Sequence, residues 1–72
     1  MMERKHIGSS EIVSTGYDQD SKILEIEFYR DRIYHYEDVP EDIYDGLLNA
    51  GESTDKFFAE NIQYSYHYTR IK

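Results

Sequence analysis

The fold is decided by the stretch Arg32-Ile33-Tyr34-His35-Tyr36-Glu37-Asp38-Val39-Pro40, which has a counterpart near the C-terminus, Tyr66-His67-Tyr68-Thr69-Arg70-Ile71. Residues two apart in an extended strand project from the same face, so each Tyr-x-Tyr places two phenol rings side by side. Such a pair can line a core or present an aromatic surface. The pattern therefore indicates a tyrosine-faced sheet, and it indicates an architecture more directly than an activity.

Three short runs of the chain are rich in β-branched and aromatic residues, and the third of them begins the first stretch. They cover residues 12–17, 23–29 and 32–37. Turn-forming residues at 18–21 and 30–31 separate them, and neither interval is long enough to hold a helix. The sequence therefore predicts a three-stranded antiparallel meander.

The middle run shows which face of this sheet is buried. Leu24, Ile26 and Phe28 alternate with Glu25 and Glu27. This alternation makes one face of the strand apolar and leaves the other in contact with water. The apolar face must be covered by another part of the chain.

Two helices are predicted to provide the cover. The first begins at Asp38-Val39-Pro40-Glu41, where an N-capping acid is followed by a proline in the first turn and by a glutamate three residues after the cap. Its apolar residues recur at helical spacing at Ile43, Tyr44, Leu47 and Leu48, and Gly51 ends it.

The second helix is predicted to begin at Ser53-Thr54-Asp55, where a hydroxyl cap precedes an acid, and to lead into Phe57, Phe58 and Ile62.

These elements predict an α+β domain: a three-stranded antiparallel meander followed by two short helices packed on one face, with a C-terminal extended segment. Residues 64–71 fit either a fourth strand or an extended arm, and the sequence does not decide between them. We expect residues 1–8 to be flexible and residues 9–72 to form a single domain.

Composition limits the classes of partner. The chain has 72 residues and no cysteine, which corresponds to one small domain without disulfides or a thiolate metal site. Fifteen acidic residues against eight Lys and Arg give a formal net charge of −7, which opposes binding to phosphate-rich DNA. No apolar run approaches the about 18 residues that a membrane span needs. The charged start has no apolar stretch behind it and is no secretory signal, so we expect a cytoplasmic protein.

The order of residues resembles that of the KTSC domain family from about Ser9 to Ile71. The resemblance is carried by Ser9-Ser10-x-Ile12, Gly16-Tyr17-Asp18, Leu24-x-Ile26-x-Phe28, Tyr34-x-Tyr36-x-x-Val39-Pro40, Tyr44-x-x-Leu47, Ser53, Phe57-Phe58, Ile62 and Tyr66-x-Tyr68-x-Arg70.

The resemblance implies a small domain of unestablished function that also occurs at the C-terminus of some lysyl-tRNA synthetases, a context from which RNA binding has been suggested. The chain departs from the usual family pattern at two positions: Asp55 stands where a glycine is common, and His67 stands where a proline is common.

The candidate site consists of four tyrosines and one arginine: Tyr34, Tyr36, Tyr66, Tyr68 and Arg70. Tyrosine rings stack on nucleic-acid bases in single-strand binders, and an arginine adds a bidentate fork for phosphate or carboxylate. The alternative is that the tyrosines form the edge of the core, with the rings inward and the hydroxyls reaching water.

We expect no catalytic residues, no metal site and no cofactor. His6, His35 and His67 are too scattered for a metal motif, and the serines lack a glycine elbow. His35 reaches Glu25 or Glu27 if strand pairing places it there. The sequence therefore predicts a small non-catalytic binding or accessory domain with an unknown protein or RNA partner; the alternative is an RNA-binding module that acts through its tyrosines and arginine.

Overall fold

The computed structural model describes residues 4–72. Its elements in chain order are β1 (Arg4–His6), β2 (Ile12–Asp18), β3 (Ile23–Phe28), β4 (Arg32–Tyr36), α1 (Glu41–Leu48), α2 (Thr54–Asn61) and β5 (Tyr68–Arg70). A short 3-10 turn at Gly51–Ser53 leads into α2.

The α+β class is confirmed, but the predicted number of strands is wrong. Within residues 4–72 the sheet has five strands in the order β1-β2-β3-β4-β5, and every neighbouring pair is antiparallel. The predicted meander forms its centre, and three-residue strands extend it at both edges. Such short strands carry too little alternation to be recognised in the sequence.

The edge strands also bear on the two chain ends. β1 lies within residues 1–8, which were expected to be flexible, and pairs with Ser14, Thr15 and Gly16 of β2. Residues 1–3 of that segment lie outside the described residues. Of the two alternatives for the C-terminal segment, the structure has the strand, and β5 pairs with β4.

A tight turn between β3 and β4 sets the register of the tyrosines. Arg30 and Asp31, in the three-residue connection 29–31, have φ of 71° and 57°, a left-handed conformation that tight turns use. As a result Tyr36 lies opposite Leu24 and Tyr34 lies opposite Ile26. Both tyrosines therefore share the apolar face of the sheet, as their spacing predicted.

The core lies between this face and the two helices. Leu24, Ile26 and Leu47 are fully buried, and Phe58 from α2 closes the layer. The predicted contact partners Ile43, Leu48 and Phe57 are half-buried at its margin.

The predicted start of the second helix is correct in position, that of the first is two residues too early, and both are wrong in their capping. Pro40 is the residue before α1, and no side chain caps the start of this helix with a hydrogen bond. Asp38, the predicted cap, instead has a φ of 57° in the turn after β4. Ser53 precedes α2 as predicted, but its hydroxyl does not cap the helix.

Candidate functional site

Three tyrosines form a triangle on the apolar side of β4 and β5. The ring centroids are 6.4 Å apart for Tyr34 and Tyr36, 5.4 Å for Tyr34 and Tyr68, and 5.6 Å for Tyr36 and Tyr68. The pairing of the strands explains this, because Tyr68 lies directly opposite Tyr36. These separations lie within the range at which aromatic pairs attract each other. We call this group the tyrosine triangle.

Two phenylalanines support the triangle from the core. Phe28 packs edge-on against Tyr34 at 5.5 Å, and Phe58 packs edge-on against Tyr36 at 5.7 Å. The two phenylalanine rings are themselves 5.5 Å apart. Buried rings in mutual contact have little freedom to rotate, so the triangle is held on a rigid base.

The solvent side of the triangle opens into a cavity of about 400 Å³, which we call the aromatic groove. It is lined by Glu11, Phe28, Arg32, Tyr34, Tyr36, Phe58, Gln63, Tyr64 and Tyr68. Tyr68 is 51% exposed and Tyr64 is 88% exposed, so the groove is accessible from solvent. Its size and its largely aromatic lining are those of a small-molecule site.

Hydrogen-bonding capacity in the groove is left open. Within residues 4–72, the hydroxyls of Tyr34, Tyr36 and Tyr68 make no hydrogen bond to another protein group. Burial, followed by the neighbouring Tyr34 and Tyr68, raises the pKa of Tyr36. The Tyr36 hydroxyl therefore stays neutral and can donate as well as accept a hydrogen bond at physiological pH.

Among the described residues that line the groove, the cation is Arg32. The Arg32 guanidinium carbon is 5.6 Å from the centroid of the Phe28 ring, close enough for a cation–π contact. Its Nε donates a hydrogen bond to the Tyr29 carbonyl at 3.2 Å. The terminal nitrogens remain for an anionic group of a ligand.

The structure brings together three of the five predicted site residues. Tyr34, Tyr36 and Tyr68 line the groove, whereas Tyr66 packs half-buried against the core. Arg70 lies opposite Tyr34 on the same face of the sheet, but it is exposed and its Nε donates to the Lys72 carbonyl at 3.0 Å.

The predicted site included neither Arg32 nor the groove residues that lie outside the strands. Arg32 lies opposite Phe28 in the β3–β4 register, so the hairpin pattern held the signal that places it beside the aromatic face. Glu11 and Gln63 come from loops, and no pattern in the sequence brings them to the groove.

The other face of the sheet carries a charged network. Arg4 contacts Glu25 at 2.8 Å and Glu27 at 3.1 Å. Strand pairing places His35 beside Glu25, and the distance between the imidazole Nε2 and the carboxylate oxygen is 2.8 Å. The Ser14 hydroxyl donates a hydrogen bond to the Glu27 carboxylate at 2.7 Å. This network joins β1, β3 and β4 across the sheet, and its carboxylates are already partnered.

Asp55, one of the two departures from the usual family pattern, has a structural role. Its carboxylate accepts hydrogen bonds from the Ser10 hydroxyl at 2.5 Å and from the Ser9 hydroxyl at 2.9 Å. The Ser10 bond is the main cause of the lowered pKa of Asp55, although burial acts in the opposite direction. Asp55 therefore ties the loop before β2 to the start of α2. The other departure, His67, is exposed and lies 3.7 Å from Glu37.

Neither a metal centre nor a membrane span is present among residues 4–72. No three His, Cys, Asp or Glu side chains there are grouped so that they could hold a metal ion. The helices in that part of the chain are too short and too polar to cross a bilayer.

The pattern of the KTSC domain matches residues 8–68 of the chain. An uncharacterised protein of Stutzerimonas stutzeri is 38% identical over 71 residues, covering 97% of this chain and 99% of that protein. A protein of Tsukamurella paurometabola is 41% identical over 51 residues, which are 71% of this chain and 75% of that protein.

Among solved structures, the crystal structure of a KTSC domain protein from Yersinia pestis covers all of both chains with a TM-score of 0.90 at 33% identity. The sequence resemblance to this family is thereby confirmed. The matched range includes the tyrosine triangle and ends before Arg70.

Proposed function

The chain belongs to the KTSC domain family, and we propose that it is a small, non-catalytic binding module of the cytoplasm that takes its ligand in the aromatic groove. The observation that carries the proposal is the tyrosine triangle. Its rings are held by the core on one side, and its hydroxyls have no partner within residues 4–72 on the other. An aromatic surface with unused hydrogen-bonding groups is typical of a recognition site.

The chemistry of the groove favours a ligand with a flat ring and an acidic group. Ring faces of Tyr34 and Tyr68 attract a planar ring by offset or edge-on contact. The hydroxyls supply hydrogen bonds to its polar edge, and Arg32 supplies a fork for a carboxylate or phosphate. Glu11 at the same groove disfavours an anion placed next to it, which orients the acidic group toward Arg32.

The lining of the groove supports a binding rather than a catalytic role. Its described residues include one carboxylate, Glu11, and no imidazole, thiol or amine. Nucleophilic catalysis pairs a nucleophile with a base in hydrogen-bonding reach, and the described lining of the groove holds no such pair. Binding by stacking and hydrogen bonding needs neither.

Amide spectra of the ¹⁵N-labelled protein test the proposal. The probes are adenosine monophosphate, uridine monophosphate and 4-hydroxyphenylacetate, each a flat ring with an acidic group. We expect shifts confined to residues that line the groove, with loss of binding in Tyr68→Ala. Tyr29→Ala is the matched control, because Tyr29 is an exposed tyrosine outside the groove. Shifts confined to another face, or turnover of a substrate that a point change abolishes, would contradict the proposal.

RNA is a second candidate ligand, and one observation favours it. The strand register places Arg32 opposite Phe28 and Arg70 opposite Tyr34, so two cations share the sheet face of the tyrosines despite the net charge of −7. Bases stacked on these rings would leave the phosphates near both guanidinium groups.

Titration of a single-stranded RNA octamer and of transfer RNA at about 50 and 200 mM salt tests this candidate. We expect binding that weakens as salt rises and that Tyr68→Ala reduces. No binding at the lower salt concentration would exclude RNA while leaving the small-ligand proposal intact.

A further inference from the structure

Within the described residues 4–72, no strand pairs with the outer edge of β5. Between β4 and β5, the Glu37 amide donates to the His67 carbonyl at 2.9 Å and the Ile71 amide donates to the Ile33 carbonyl at 2.7 Å. Hydrogen-bonded residues alternate along an antiparallel pair, so the backbone groups of Tyr68 and Arg70 point away from β4. Two amides and two carbonyls therefore face outward at the free edge of the sheet.

The two edges of the sheet differ in how they meet another strand. β1 presents Arg4, Lys5 and His6, a run of basic residues that repels a second copy of itself. β5 presents an aromatic residue, Tyr68, and a β-branched residue, Thr69. Ile71, which directly follows the strand, is 54% exposed. Of the two edges, β5 therefore has the residues that favour strands, and only one of its three residues is charged.

We propose that β5 pairs in antiparallel fashion with β5 of a second copy of this chain, with Tyr68 opposite the partner's Arg70. This register uses all four outward backbone groups of each copy, since Tyr68 and the partner's Arg70 exchange two hydrogen bonds and the symmetric pair exchanges two more. Each Tyr68 ring then lies beside a guanidinium on the same sheet face, where cross-strand Cβ atoms are about 5 Å apart.

Neighbouring registers are less favourable because of charge. A shift by two residues in one direction places Arg70 directly opposite the partner's Arg70, and like charges in opposed positions destabilise a sheet. The shift in the other direction pairs Tyr68 with the partner's Tyr68 and places Arg70 opposite the partner's residue 66, a position that lies outside β5 and packs half-buried against the core. The proposed register also places Thr69 opposite the partner's Thr69 on the outer face, a pairing that antiparallel sheets favour.

The pairing adds a group to the aromatic groove. Tyr68 is both a member of the tyrosine triangle and the edge residue, so the partner's Arg70 lies at the rim of the groove. The chain's own Arg70 is turned to the Lys72 carbonyl through its Nε. Each copy therefore receives at its groove a cation from the other. The pairing itself does not depend on the proposed ligand function.

Sedimentation over a concentration series of about 10 μM to 1 mM tests the pairing. The interface is small, so we expect a weak dimer. Each copy has a net charge of −7, so added salt should strengthen the dimer by screening their repulsion. Thr69→Asp and Thr69→Lys should each give a monomer, because each places like charges opposite each other. An equimolar mixture of the two variants should recover a dimer, because opposite charges then meet.

Lys5→Gln is the matched control: it lowers the net charge by one, as Thr69→Asp does, but at an exposed residue on the other edge, and it should leave the dimer unchanged. Amide exchange of the unaltered protein gives a second measurement, in which the Tyr68 and Arg70 amides should slow as concentration rises. A monomer up to 1 mM at about 0.15 M salt, a dimer insensitive to both Thr69 variants, or a dimer lost in Lys5→Gln would each overturn the proposal.

Discussion

Tyr36 and Tyr68 lie directly opposite each other on β4 and β5, with ring centroids 5.6 Å apart. Tyr36 is 3% exposed and belongs to the core, whereas Tyr68 is 51% exposed and belongs to the surface. The pair thus joins the interior of the domain to the aromatic groove. Because Tyr68 comes from the last strand, the groove is complete only when β5 is paired.

Tyr36→Phe should reduce the loss of stability that the protein shows at alkaline pH. Burial, then Tyr34 and Tyr68, raise the pKa of Tyr36, so the folded state holds the proton more tightly than the unfolded chain does. This contribution is fully present below the unfolded pKa of about 10 and is lost as pH rises above it. We expect the melting temperature of the unaltered protein to fall above about pH 10 and that of Tyr36→Phe to fall less.

Circular dichroism melts at several pH values compare the two proteins. Tyr29→Phe is the appropriate control, because Tyr29 is an exposed tyrosine outside the core. Identical alkaline profiles for Tyr36→Phe and the unaltered protein would contradict the burial of an uncharged Tyr36 hydroxyl.

Leu47→Ala should destabilise the domain strongly. Leu47 is fully buried between α1 and the sheet, against Leu24 and Ile26 in the same core. Truncating a buried leucine leaves a cavity and costs about 2–5 kcal/mol, a large part of the total stability of so small a domain. Chemical denaturation measures the difference, with Leu48→Ala as a control at the half-buried margin, where we expect a smaller loss.

Asp55→Asn should weaken the tie between α2 and the loop before β2. The Ser10 hydroxyl, with Ser9, lowers the pKa of Asp55, so the folded state favours the ionised carboxylate. Its contribution is present above the unfolded pKa of about 3.9 and is lost as pH falls through the lower folded value. Solvent screens this group, so we expect a loss below about 1 kcal/mol at neutral pH.

Melts between neutral pH and pH 2 check this sign, since the gap between Asp55→Asn and the unaltered protein should narrow in acid. Asp20→Asn is a control, because Asp20 is exposed. A gap that widens in acid would show that the carboxylate does not act through its charged form.

The parts of the fold that sequence predicts are those with repeated patterns. Leu24, Ile26 and Phe28 alternate over a full strand, and the apolar residues of α1 recur over two turns, so both signals are strong. Edge strands of three residues lack this repetition. Their pairing depends on contacts distant in the chain, such as Tyr36 with Tyr68, which local patterns do not encode.

The same limit applies to the site. Spacing alone predicted that Tyr34 and Tyr36 share a face, but it placed Arg70 in the site, because Arg70 stands next to tyrosines in the chain. The hairpin register instead places Arg32 opposite Phe28 at the groove. Asp38 fitted the pattern of a helix cap, but it forms a turn instead. The turn places the Val39 side chain in the core, and the Val39 amide donates a hydrogen bond to the Lys22 carbonyl at 3.0 Å.

Deletion of residues 65–72 should destabilise the fold, whereas Arg70→Ala should leave it folded. The deletion removes β5 and the half-buried Tyr66, and it exposes the edge of β4 together with the ring of Tyr36. Arg70 is exposed, and its side chain contacts only the Lys72 carbonyl among the hydrogen bonds of residues 4–72. We therefore expect a lower denaturation midpoint for the truncated chain and an unchanged midpoint for Arg70→Ala.

Amide exchange gives an independent measure of whether β5 is packed. Slow exchange at Thr69 and Ile71, whose amides face β4, would agree with a packed strand. Fast exchange throughout residues 64–71 would show that β5 is not stably paired.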